Sequence, residues 1–137
     1  MYLIDTNVVS ELRKPRPHGV VLAWINDVPD DQLHISAFTL GELQAGVELT
    51  RALDAAKAAE IDVWIDEIAA SWSVIPMDAA AFRVWSKLMH RRSDELIDDA
   101  VIAATAMVHR LTVVTRNIRD FRVFGVPILN PFDTPRG

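Results

Sequence analysis

The stretch Leu111-Thr112-Val113-Val114-Thr115 is the strongest strand signal in the chain, because it is β-branched almost throughout. The segment before it, Ala100–His109, is rich in alanine and apolar on nearly every side, which predicts a buried helix. A buried helix that leads into a β-branched strand is typical of proteins in which helices cover a parallel sheet. This pair of segments therefore favours an α/β fold.

Shorter apolar runs alternate with helical stripes along the rest of the chain. Four more strands are predicted at Tyr2–Ile4, Leu33–Ser36, Ser73–Pro76 and Val126–Asn130. Helical spacing of apolar residues predicts helices over Val20–Val28, over Leu40–Leu49, from about residue 52 to 71, and behind Asp78 as an N-cap. We expect an α/β fold in one domain over residues 1–137, with a parallel sheet of four or five strands sandwiched between helices.

Composition narrows the class of protein. The chain has 137 residues, and half of them are hydrophobic, which excludes a disordered chain. It has no cysteine, which excludes a disulfide framework and a thiolate zinc site. No apolar stretch approaches the roughly 18 residues that span a bilayer, so we expect no membrane association. The N-terminus has no basic leader, and we expect a cytoplasmic protein. The net charge of -5 argues at first against a nucleic-acid partner.

Acidic residues follow several of the predicted strands. Asp5 ends the first strand, Glu42 is predicted in the first turn of the helix after the second strand, and Asp98 and Asp99 open the alanine-rich helix. Ligands of parallel sheets bind outside the carboxyl ends of the strands, where these acids would meet. Acids at one edge repel one another unless a cation lies between them, and oxygen ligands suit Mg²⁺. The pattern therefore indicates a metal site.

Each acid except Asp5 has an ordinary structural alternative. Thr39 and Glu42 fit a capping box, and the paired acids of the alanine-rich helix could simply stabilise its dipole. Two further polar residues, Asn117 and Asp120, follow the strand that ends at Thr115, and they could be turn residues. Asp5 is harder to explain in this way, because an acid beside the core is costly to desolvate without a partner.

Five segments resemble, in this order, the motifs of PIN-domain ribonucleases, and specifically of the VapC-type toxins of bacterial toxin–antitoxin pairs. They are Leu3–Asn7, Ser36–Gly46, Asp99–Ala106, Thr115–Phe121 and Gly125–Phe132. The resemblance covers essentially the whole chain, and it rests on the ordered set rather than on any single motif. It implies a single PIN-like domain.

The resemblance also implies the site residues. It makes Asp5, Glu42 and Asp99 the metal-binding catalytic acids, since the family's third acid directly precedes a run such as Ala100–Ala104. Asp98 is the second choice for that third position.

The fourth position of the family's acidic set departs from the pattern. The family often has an acid where this chain has Asn117, the fourth residue of the implied catalytic set, whose amide could ligate through oxygen but adds no charge. One metal or two therefore stays open, and a second ion would enter with the substrate near Asn117. Asp120 is the second choice for this position. Thr6 and Thr115 are predicted to support the acids through hydroxyl hydrogen bonds.

The implied function is metal-dependent cleavage of RNA by the toxin of a toxin–antitoxin pair. Mg²⁺, or Mn²⁺ in its place, would activate a water for in-line attack on a phosphodiester. The implied partners are an RNA substrate, a VapB-like antitoxin protein that inhibits the site, and a second copy in a homodimer. Basic residues near the motifs are candidate RNA contacts, namely Arg13, Lys14, Arg91, Arg92, Arg116 and Arg119. Alternatively, they form ordinary solvated helix ends.

A second hypothesis is a non-catalytic PIN-like module that binds RNA or a protein without cutting. Asn117 favours this alternative, because the fourth acid is missing. Asp5, Glu42 and Asp99 oppose it, because like charges near a core are costly to keep without a purpose.

Overall fold

The computed structural model describes residues 1–133, and in that part of the chain seven α-helices surround one sheet of five parallel strands. The strands are β1 (Tyr2–Ile4), β2 (Leu33–Ser36), β3 (Ser73–Ile75), β4 (Thr112–Val114) and β5 (Ile128–Leu129). Their order across the sheet is β3-β2-β1-β4-β5. The predicted α/β class is confirmed, and so are all five strands. The prediction of one domain to residue 137 stays a prediction, and its last residues, 134–137, lie outside the described part.

The helices cover both faces of the sheet. They are α1 (Thr6–Leu12), α2 (Gly19–Asp27), α3 (Ala37–Arg51), α4 (Ala55–Ser71), α5 (Ala79–Met89), α6 (Ile97–His109) and α7 (Ile118–Arg122). Asp78 caps α5 as predicted, because its carboxylate accepts a hydrogen bond of 2.9 Å from the backbone N–H of Ala81. No helix within residues 1–133 is long and apolar enough to cross a membrane.

The strand alternation divides the core into two layers. Leu3 and Val113 face the layer formed with α5, α6 and α7, whereas Ile4 and Val114 face the layer formed with α1 and α2. All four side chains are fully buried. Because successive strand residues point to opposite faces, β1 and β4 need apolar residues at consecutive positions, as both sequences show.

The register of the two central strands positions the site. β1 pairs with β4 so that Ile4 lies beside Val114, and the next residues, Asp5 and Thr115, emerge together at the carboxyl edge. The backbone N–H of Asp5 donates to the Val114 carbonyl at 2.9 Å, which extends the pairing by one residue. The chain adds β2 and β3 on one side of β1, and β4 and β5 on the other. The strand order therefore reverses between β1 and β4, and a reversal of this kind leaves a crevice above the carboxyl ends of the strands.

The position of Glu42 differs from the sequence-based expectation. Ser36, the last residue of β2, is the N-cap of α3, and its hydroxyl accepts a hydrogen bond of 3.1 Å from the backbone N–H of Phe38. The helix therefore begins one turn earlier than expected, and Glu42 lies in its second turn. The capping box between Thr39 and Glu42 is wrong for the same reason. Asp98 and Asp99 do lie in the first turn of α6, as predicted.

Candidate active site

A cavity of about 280 Å³ opens above the carboxyl ends of the central strands. Its walls come from α1, α3, α6 and the loop after β4. The lining residues are Asp5, Thr6, Asn7, Glu42, Asp98, Asp99, Ile102 and Asn117. The structure thus brings together four of the acids that the sequence singled out. Their catalytic and metal-binding roles stay predictions.

Asp5 is fixed from both sides of its carboxylate. One oxygen, Oδ1, accepts a hydrogen bond of 2.8 Å from the backbone N–H of Thr6, so Asp5 caps α1. The other, Oδ2, accepts from the Thr115 hydroxyl at 2.8 Å. Burial raises the pKa of Asp5, and the two hydrogen bonds lower it in part. Asp5 is therefore a buried carboxylate of defined orientation, with 6% of its surface exposed.

Thr115 is expected to contribute to stability through this contact. Its hydroxyl donates to Asp5 and accepts from the backbone N–H of Asn117 at 3.0 Å. In Thr115→Val the shape is kept and both partners are left unsatisfied, so the free energy of unfolding should fall by about 1–3 kcal/mol. Urea denaturation at pH 7 measures the change. Thr112→Val is the matched control, since Thr112 lies on the same strand and donates no side-chain hydrogen bond within residues 1–133. Equal losses in the two variants would contradict the expected role.

Glu42 is held by side chains of α1 and α3. The Thr6 hydroxyl donates to Glu42 Oε1 at 2.7 Å and lies 3.1 Å from the hydroxyl of the fully buried Thr39. Burial raises the pKa of Glu42, the charges of Asp98 and Asp5 raise it further, and the Thr6 hydrogen bond opposes them. Glu42 therefore faces the cavity from α3, and within residues 1–133 it has no positive partner.

Asp99 is the most strongly perturbed acid of the cavity. Its pKa rises to about 6, first because of burial and then because of four negative charges. Those charges belong to Asp5, Asp120, Asp98 and Glu42. Asp98 is exposed and lines the same cavity, so the half-buried position of Asp99 favours Asp99 as the ligand. Asp120 does not line the cavity, whereas Asn117 does.

The acids of the cavity lack compensating charge. Within residues 1–133, no lysine, arginine or histidine forms an ion pair with any of them. In the same part of the chain, no group of three or more His, Asp or Glu side chains is arranged closely enough to enclose an ion. An all-oxygen donor set of this kind fits a hard cation that keeps several waters and takes only one or two carboxylates directly. The donors therefore fit Mg²⁺ or Mn²⁺.

The candidate RNA contacts lie in different surroundings. Arg13 and Lys14 line a neighbouring groove of about 360 Å³, which shares Thr6 and Glu42 with the cavity. Lys14 also pairs with the buried Glu11 at 2.9 Å, so part of its charge is used within the fold.

The other candidate contacts follow α5 or lie near α7. Arg91 and Arg92 come after the end of α5, and Arg92 donates to the Val123 carbonyl at 3.1 Å. Arg116 precedes Asn117 at the cavity edge, and Arg119 lies on α7. Only Arg116 among these four adjoins a residue that lines the cavity.

Asn7 is a cavity residue to which the sequence motifs gave no role. Its side-chain carbonyl accepts from the backbone N–H of Arg116 at 3.4 Å, and its amide nitrogen lies 3.4 Å from the Thr115 hydroxyl. It therefore ties α1 to the loop after β4. The signal in the sequence is that Asn7 ends the first family motif, Leu3–Asn7, as a polar residue two positions after Asp5.

Comparison with known proteins identifies the family. Residues 2–126 match the model of the PIN domain. The chain is 37% identical to the VapC ribonuclease Y4jK of Sinorhizobium fredii, over 97% of this chain and 99% of that protein. The crystal structure of FitAcB from Neisseria gonorrhoeae superposes with a TM-score of 0.88 at 30% identity, and covers 98% of this chain and 100% of that one. A toxin–antitoxin complex from Klebsiella pneumoniae superposes with a TM-score of 0.74 at 25% identity, over 98% and 100% of the two chains. The chain therefore belongs to the PIN domain family.

Proposed function

We propose that the protein is a metal-dependent endoribonuclease that acts as the toxin of a toxin–antitoxin pair. The observation that carries the proposal is the cavity at the β1–β4 edge, in which four acids meet and none of them forms an ion pair with a basic residue of the described range 1–133. Buried like charges at the switch point of a sheet are typical of a functional site. The relative that is named a VapC ribonuclease supports RNA as the substrate.

Asp5 and Asp99 would hold the cation directly, Glu42 would bind it directly or through a water, and Asn117 would offer an amide oxygen beside them. A divalent cation supplies the charge that polarises a phosphodiester and lowers the pKa of an attacking water. Thr115 and Thr6 orient the carboxylates of Asp5 and Glu42 towards the cavity. These hydrogen bonds keep the ligands in place before the cation and the substrate arrive.

The same charges determine how RNA is held. Without a cation, the carboxylates repel the phosphate that is to be cleaved, so placing this phosphate at the cavity requires the cation, whereas positive side chains around the cavity attract the neighbouring phosphates. Arg13 and Lys14 in the adjoining groove and Arg116 at the cavity edge are the basic residues placed to provide that attraction. An acidic chain can therefore bind RNA at one locally basic surface.

Incubation with defined tRNA and mRNA panels tests the function. With Mg²⁺ or Mn²⁺ the protein is expected to produce new RNA ends at reproducible positions, and with EDTA it is expected to produce none. Cleavage that is undiminished by EDTA would contradict the metal requirement. RNA that is bound but left intact under every metal condition would instead support the non-catalytic module, which the amide of Asn117 favours.

Replacement of Arg13 is expected to weaken RNA binding, because one positive charge is lost from the groove. In Arg13→Ala, the slope of log affinity against log salt is expected to flatten by about 0.7, as for one lost phosphate contact on a single strand. Fluorescence anisotropy with labelled RNA, in an Asp99→Asn background that prevents cleavage, measures the slope. Arg83→Ala is the control, because Arg83 is exposed on α5 and lines neither the cavity nor the groove. An identical slope in both variants would count against Arg13.

We further propose an antitoxin protein as a partner. The likeness to a toxin–antitoxin complex extends over 98% of this chain, so no large part of the fold is missing from the comparison. Co-expression with a VapB-like antitoxin protein, followed by co-purification and loss of RNA cleavage, tests this partner; a protein that neither co-purifies with it nor loses RNA cleavage would contradict the proposal.

A further inference from the structure

We propose that Arg116 binds an RNA backbone phosphate at the mouth of the acidic cavity, and that Phe132 is the positioning residue that holds its guanidinium in place. The proposal rests on the proposed RNA substrate and adds a residue from the C-terminal part of the chain to the site. It follows from the contacts of these two side chains.

The backbone of Arg116 is fixed at the cavity edge. Arg116 lies between Thr115, which donates to Asp5, and Asn117, which lines the cavity. Its backbone N–H donates to the side-chain carbonyl of Asn7, another lining residue, at 3.4 Å. The side chain therefore starts between a residue that hydrogen-bonds to Asp5 and a residue that lines the cavity.

The guanidinium of Arg116 lies over an aromatic ring, and its N–H donors have no acceptor among the described residues. The carbon Cζ is 4.2 Å from the centroid of the Phe132 ring. Within residues 1–133, the Arg116 side chain forms no ion pair and donates no hydrogen bond, and the residue is exposed. Stacking uses one face of the planar group and leaves its N–H edge available for the two oxygens of a phosphate.

The Phe132 ring is itself supported. The residue lies in the 3₁₀ turn Pro131–Asp133, where its backbone N–H donates to the side-chain oxygen of Asn130 at 3.0 Å. The His18 imidazole at the start of α2 contacts the ring edge-on, with 5.1 Å between centroids. A supported ring limits the rotamers of Arg116, so less conformational entropy is lost when a phosphate binds.

A second arginine on a phenylalanine shows what is specific about this pair. Arg92 lies 5.2 Å from the centroid of Phe124, but it also donates to the Val123 carbonyl, and neither of its neighbours in the chain lines the cavity. Arg92 therefore joins two segments of the fold. Arg116 has the same kind of stacking and no acceptor for its side chain within the described chain, and it directly precedes Asn117, which lines the cavity.

RNA affinity and cleavage kinetics test the proposal. Arg116→Ala and Phe132→Leu are each expected to raise the KM and the Kd for single-stranded RNA about tenfold, with kcat within about twofold, because a phosphate contact remote from the reacting bond binds substrate and transition state alike. Phe132→Tyr keeps the ring and is expected to keep the affinity of the wild type. Phe82→Leu makes the same exchange at an exposed phenylalanine on α5, outside the cavity lining, and is expected to change neither constant.

The double variant Arg116→Ala/Phe132→Leu tests whether Phe132 affects RNA binding only by positioning the Arg116 guanidinium, or also by its packing in the fold. In an Arg116→Ala background, Phe132→Leu should cost no further affinity, because the ring acts through the guanidinium. A further loss there, or a wild-type Kd in Arg116→Ala, would overturn the proposal. Because the Kd is measured without cleavage, this result is independent of the proposed reaction. A wild-type protein that never cuts RNA with Mg²⁺ or Mn²⁺ would contradict the proposed function, while the Kd values would still decide the role of Phe132.

Discussion

Asp99→Asn is expected to slow RNA cleavage at least about 100-fold and to stabilise the metal-free protein. The carboxylate of Asp99 is half-buried among like charges, which raise its pKa to about 6. At pH 7.5 it is nevertheless ionised, so the fold bears its repulsion with the other acids. The amide removes this repulsion and at the same time removes a charged ligand. Single-turnover cleavage and thermal unfolding of the same preparation measure the two opposite effects.

The combination of slower cleavage and higher stability distinguishes loss of a ligand from damage to the fold. A variant that loses activity because it is damaged also loses stability, whereas Asp99→Asn is expected to unfold at a higher temperature than the wild type when both are metal-free. Asp66→Asn is the matched control, because Asp66 is exposed on α4 and does not line the cavity. Unimpaired cleavage in Asp99→Asn, combined with a loss in Asp98→Asn, would move the ligand role to the neighbouring residue.

Local patterns in the sequence are sufficient to predict the five strands, but not their order across the sheet. Strands β1 and β4 have apolar residues at consecutive positions because both faces of the sheet are covered, so the runs at Leu3–Ile4 and Val113–Val114 are recognisable without the structure. The short helix α7 was not predicted, because it has five residues and only Phe121 is buried. One buried side chain provides no helical period to recognise.

The sequence predicts the acids of the site and the supporting hydroxyls of Thr6 and Thr115, which do hydrogen-bond to Glu42 and Asp5, but it does not predict the contact made by Asn7. Asp5 was found because an acid directly follows a buried strand, which is a local signal. The contact between Asn7 and the loop after β4 joins residues 109 positions apart, and no local pattern reports it. Glu42 was assigned to the wrong helical turn because Thr39 imitates an N-cap, while Ser36 performs that function at the end of β2.

The net charge of -5 has a different meaning once the acids are placed. Four of them line one cavity, where a cation would offset part of their charge. Arg13 and Lys14 line the adjoining groove. The overall charge therefore says little about RNA binding, because attraction to a phosphate depends on the nearest groups.

Divalent cations are expected to stabilise the protein in a strongly pH-dependent way. The pKa of Asp99 is about 6 in the folded chain, against a usual 3.8, so between about pH 4 and pH 6 the metal-free fold binds more protons than the unfolded chain. The contribution of Asp99 to the free energy of unfolding of the metal-free protein therefore falls as the pH rises from about 4 to about 6. A cation binds only the ionised carboxylate, so the stabilisation it provides must grow over the same range.

Thermal unfolding with and without saturating Mn²⁺, from pH 5 to pH 8, measures this coupling. Below about pH 6 the affinity for Mn²⁺ is expected to fall about tenfold for each pH unit, because a proton and the cation compete for Asp99, and above about pH 7 it is expected to level off. Asp99→Asn should remove both the Mn²⁺ effect and this part of the pH dependence, while Asp66→Asn should keep both. A stabilisation by Mn²⁺ that is the same at pH 5 and at pH 8 would show that the cation binds elsewhere. In that case the negative charge that collects at the β1–β4 edge would have to be explained without a metal.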